Sequence, residues 1–117
     1  MQQIKSNIRD ILEEVIDERV SQDTKWGIQN HPSLSPELKE ETYLPNLTNY
    51  YLLPSEKDAK NNCEIDFKNG NANWASIAVE ELCEVIESKD EKLRREELIQ
   101  LAAVVFAWIE CIDRNKE

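Results

Sequence analysis

Several residue types are scarce in this 117-residue chain, and each scarcity removes a class of protein. Cysteine occurs only at Cys63, Cys83 and Cys111, an odd number at wide spacing with no C-x-x-C pair. That excludes a disulfide framework and a zinc knuckle, and it suits a reducing, cytoplasmic setting. No apolar run approaches the roughly 20 residues that cross a bilayer. The opening MQQIKSNIRDILEE has no basic region followed by an unbroken apolar one, so no secretory leader is expected. Prolines are confined to Pro32, Pro36, Pro45 and Pro54, which leaves the rest of the chain free of the strongest helix breaker. Basic residues are outnumbered, 14 Lys and Arg against 24 Asp and Glu, for a formal net charge of -10. Such a charge repels phosphate backbones and anionic lipid, and argues against nucleic acid and membrane surfaces as partners. A small anionic substrate stays compatible, because cations gathered by clustered acids invert the local field.

What is present is helical periodicity. Ile4, Ile8, Ile11, Leu12, Val15, Ile16 and Val20 recur at spacings of three and four, marking a first helix that stops near Trp26 with Gly27 as its cap. From 32 to 54 the pattern lapses into an irregular, proline-containing loop whose tyrosines, Tyr43, Tyr50 and Tyr51, suit a segment packed down over the body. Ser55 as N-cap and Gly70 as stop bound a short second helix with Ala59, Cys63 and Phe67 on its apolar side. A third helix is predicted from Asn73 to near Glu87. Ser88-x-x-Glu91 has capping-box form and opens a fourth, running to about Arg114. No strand or repeat is evident. The length fits one all-α domain over 1–117, a four-helix-type bundle. The middle of the fourth helix, LAAVVFAWI, is apolar nearly all round, which calls for burial on every side. In so short a chain a partner subunit supplies that cover, so a homodimer or homotetramer is expected, with Trp74 and Trp108 in core or interface.

The acids are arranged less blandly than the composition suggests. With Glu80 at zero on a helical wheel, Glu84 falls near 40° and Glu81 near 100°, whereas Ala75, Ala78, Leu82, Val85 and Ile86 centre near 190°. A solvated acidic face is one explanation. Glu97 is different: Trp108, Leu101, Val104 and Ile112 all lie within about 60° of it. A carboxylate in an apolar stripe needs a basic side chain, a hydrogen-bonding group or a metal as partner. Arg94 is near enough in sequence to be that base. Alternatively, Glu97-x-x-Gln100 facing Glu81-x-x-Glu84 makes a cage of hard oxygens suited to magnesium or manganese. Acids around Cys83 should raise its thiol pKa and keep it unreactive.

Glu80-Glu81-Leu82-Cys83-Glu84, followed after residues 85–96 by Glu97-Leu98-Ile99-Gln100, resembles the E-E-x-x-E and E-x-x-D signature of the MazG-like nucleotide pyrophosphohydrolases, an all-α family. KWGIQNHP at 25–32 and ELIQLAAVVFAWIE at 97–110 are similar to segments of its small members. The resemblance implies Mg2+- or Mn2+-dependent cleavage of a nucleoside triphosphate to the monophosphate and pyrophosphate. It implies Glu81, Glu84 and Glu97 as metal ligands, with Gln100 in place of the family's aspartate. Glu80 or Glu81 becomes the candidate catalytic base. For substrate binding, Trp26 is a candidate for base stacking, Lys25 for a phosphate, and Gln29 and Asn30 for base edges. His31 is a weaker candidate of the same kind.

Overall fold

A computed structural model describes residues 1–38 and 44–116. Among the described residues it is all-helical: α1 (Gln2–Trp26), α2 (Glu56–Lys68), α3 (Trp74–Glu87) and α4 (Glu91–Arg114), with no strand. The ends follow local chemistry. Ser55 Oγ accepts the Asp58 N–H at 3.0 Å, and Asn73 Oδ1 accepts the Ser76 N–H at 2.8 Å, so two side chains satisfy donors that have no partner inside the helix. Gly27 and Gly70 follow α1 and α2 at φ 71° and 75°, in the region that favours glycine. One start differs from expectation. Asp90, not Ser88, caps α4: its Oδ1 takes the Leu93 N–H at 2.8 Å. The Ser88 hydroxyl instead donates back to the Glu84 carbonyl at 2.7 Å, which closes α3.

The chain divides into two compact units, one of Met1–Ser33 with Phe106–Glu117 and the other of Leu34–Val105. In the first unit Ile11 is the buried residue of α1. The rest of the predicted stripe, Ile4, Ile8, Leu12, Val15, Ile16 and Val20, stays at the surface, Val20 at 59% exposure. Along α4, Leu98, Ile99, Val105 and Ile112 are exposed as well, so within a single chain this helix is not enclosed.

The second unit is built on the packing of α2 against α3. α2 contributes buried Ala59 and Cys63, and α3 contributes Cys83, Val85 and Ile86. Burying a valine or isoleucine side chain stabilises by about 1.5–3 kcal/mol, so these few residues carry much of the unit's cohesion. The segment expected to be irregular contains two 3-10 turns, Pro36–Leu38 and Leu47–Tyr51. Pro36 begins the first, where its fixed φ suits a helical start. The Tyr51 hydroxyl accepts the Ser35 N–H at 2.8 Å and the Tyr50 hydroxyl donates to Glu37 at 3.1 Å, so these two tyrosines tie the turns to each other. Tyr43 lies outside the described residues. Thr48, fully buried, fastens the second turn to α3 by donating its backbone N–H to Glu87 Oε2 at 3.0 Å. No helix among the described residues is long and apolar enough to cross a membrane.

Candidate metal centre

The turn from α3 to α4 sets the site. A helix ends with carbonyls that lack partners, and here a side chain of the next helix supplies them. Arg94 is buried, and its guanidinium donates to the carbonyls of Val85 at 2.9 Å, Ser88 at 2.9 Å and Ile86 at 3.4 Å. It also pairs with Glu91. Arg94 is thus spoken for at the end of α3, and the sequence-based option of an Arg94 partner for Glu97 is replaced by a clamp. One turn further along α4, that clamp holds Glu97 against the acidic face of α3.

Glu81, Glu84 and Glu97 converge, each offering a carboxylate oxygen, with all three oxygens within 4.8 Å of one another. All three residues are half-buried, so the acidic face of α3 is no simple solvated surface. Three charges this close cannot all persist, and the proton inventory reflects it. Burial, the Glu81 charge and a hydrogen bond to Glu97 push the Glu84 carboxyl up to about 7. Glu81 is raised too, first by burial and then by the charges of Glu97 and Glu80, while a hydrogen bond from Glu84 works in the opposite direction. Glu84, with the most strongly raised carboxyl of the three, is common to both hydrogen bonds. One oxygen remains unserved. Glu81 Oε2 is buried and has no hydrogen-bond partner. Chemically the cluster can hold a proton or a hard divalent cation, for which three carboxylates are an appropriate donor set.

The remaining sequence candidates differ in their burial and contacts. Gln100 is exposed, one turn beyond Glu97 on α4. Glu80 is half-buried and takes a hydrogen bond from the buried Cys63 thiol of α2, whose pKa is raised by burial and by Glu80 itself. Lys25, Trp26, Gln29, Asn30 and His31 belong to the first unit and are exposed. The Lys25 ammonium lies 5.0 Å from the centroid of its neighbour's indole ring. Cys83 is fully buried, donates to the Pro54 carbonyl at 3.4 Å, and has its pKa raised by burial first and by Glu87, Glu56, Glu80 and Glu84 after it. Residues that sequence reasoning underweighted are Arg94 and Thr48. The signal for Arg94 was available, since a basic residue soon after a helix end faces carbonyls that need donors. Nothing local marked Thr48. Compared with known protein families, with curated proteins and with solved structures, the chain matches none.

Proposed function

We propose that this chain is a metal-dependent nucleoside triphosphate pyrophosphohydrolase, releasing pyrophosphate and leaving the nucleoside monophosphate. Glu81, Glu84 and Glu97 would hold Mg2+ or Mn2+. The observation that carries this is the convergence of three half-buried carboxylates from two helices, with which no lysine or arginine among the described residues forms an ion pair. The unpartnered Glu81 oxygen and the raised proton affinity of Glu84 mark a cluster short of positive charge. A divalent cation held there would supply that charge, and with it neutralisation of triphosphate oxygens and activation of water. The chain's own part is to fix the three oxygens through the Arg94 clamp, and to provide in Glu81 a carboxylate of raised proton affinity as the candidate general base. Lys25, Trp26, Gln29 and Asn30, all exposed, remain the candidates for substrate binding.

The apolar stripe of α1 and the exposed face of α4 support a homodimer or homotetramer as the working form. The cysteines Cys63, Cys83 and Cys111 are free, which fits a cytoplasmic location. A second function has one residue in its favour. Gln100 puts a neutral amide where the resembled family has a carboxylate, as would suit a helical oligomer that binds a nucleotide or a protein partner without turnover. Magnesium-dependent release of pyrophosphate from a panel of nucleoside triphosphates separates the two. Glu97→Gln should abolish that release while helicity and association persist. A wild-type chain inert with both metals, or turnover indifferent to the substitution, would refute the hydrolase.

A further inference from the structure

Beside the acid cluster, α2 and α3 enclose an open groove of about 490 Å³ lined by Lys60, Cys63, Glu64, Phe67, Ile77 and Glu80. That is within the range of about 300–1,000 Å³ usual for small-molecule sites. Phe67 is an aromatic ring left 58% exposed on the groove's wall. Cys63, buried, and Glu80 line the groove together. The placement is specific. Ile77 and Glu80 precede Glu81 and Glu84 by four residues each, so the groove adjoins the acids at about 6 Å along α3, roughly the reach of a ribose between base and phosphate. A flat ring resting on Phe67 and Ile77 would have its sugar directed toward the carboxylate cluster.

The polar groups choose among rings. Lys60 donates only, and Glu80 and Glu64 accept only when ionised. Guanine presents an acceptor, O6, beside two donors, N1–H and the N2 amino group, which is the complement of one ammonium and one carboxylate. Adenine and cytosine would turn ring-nitrogen acceptors toward the carboxylate, and uracil offers it a single N–H flanked by carbonyls. We infer that the groove between α2 and α3 is a guanine subsite, with Phe67 and Ile77 against the ring, Glu80 on N1–H and the N2 amino group, and Lys60 on O6.

This deepens the hydrolase proposal and rests on it for the substrate class, but a binding measurement tests it separately. The full chain is titrated calorimetrically with GMP and with IMP, which lacks only the N2 amino group. GMP should bind about tenfold or more tighter than IMP. Glu80→Gln should erase that ratio, and Phe67→Ala should weaken both nucleotides alike. Lys60→Met, at an exposed position, removes the donor to O6 and should weaken both as well, because O6 is common to them; it keeps the test valid should Glu80→Gln lose its helical signal. Absence of GMP binding, equal affinities for GMP and IMP, or a ratio that survives in a folded Glu80→Gln chain overturns the subsite. GMP selectivity without pyrophosphate release from GTP upholds the subsite and overturns the hydrolase; release from GTP without such selectivity does the reverse.

Discussion

Replacing Glu84 by glutamine should flatten the dependence of this protein's stability on pH. The folded chain holds the Glu84 proton up to about pH 7, against an ordinary value of 4.5. Between those limits the unfolded chain binds fewer protons than the folded one, so stability falls as pH rises through the window and levels off above it. A shift of this size corresponds to roughly 3 kcal/mol at full strength. Because the cluster is half-buried, solvent screening reduces that to about 1.5 kcal/mol. Raised proton affinity at Glu81 acts with the same sign. Glutamine imitates the protonated acid, since its amide can donate to Glu81 and Glu97 yet never ionises. The variant should therefore match the wild type near pH 5 and exceed it by about 1.5 kcal/mol near pH 8. Urea unfolding followed by helical circular dichroism across that range, with chelator present, measures both slopes. Under the proposed cation binding, added Mg2+ should stabilise the wild type more near pH 8 than near pH 5, because the ion competes with the proton. A wild-type midpoint flat from about pH 5 to 8, or a Glu84→Gln chain that keeps the wild-type slope, would refute the shared-proton account.

Three further outcomes follow from the same geometry. Arg94→Met removes the donor to the Val85, Ile86 and Ser88 carbonyls and should lower the unfolding free energy by about 3 kcal/mol, seen as an earlier urea midpoint; a loss under 1 kcal/mol, within the range of ordinary surface substitutions, would show that the clamp is dispensable. Gln100→Asp should increase Mn2+ affinity, measured calorimetrically, if this position faces the cation, and an unchanged affinity would remove Gln100 from the ligand set. Sedimentation at micromolar concentration should find a dimer or tetramer, and Leu12→Glu on the exposed stripe of α1 should dissociate it; a monomeric wild type would leave that stripe unexplained.

The sequence by itself determined the helices and most of their ends. Capping at Ser55 and Asn73 and the positive-φ glycines Gly27 and Gly70 depend on backbone chemistry within a few residues, which sequence spacing records directly. The same periodicity placed Glu81 and Glu84 together on one face and set Glu97 in an apolar stripe. At the start of α4 the capping-box pattern pointed to Ser88, and the fold used Asp90 instead. Tertiary structure alone decided who meets whom: that Arg94 serves the end of α3 and leaves Glu97 to the acids, that Glu80 turns to Cys63 of α2, and that Thr48 reaches Glu87 across the loop. Each of these is a choice of partner between helices or across a long connection. Such choices depend on how elements pack, a degree of freedom that the rotation of 100° per residue along one helix does not contain.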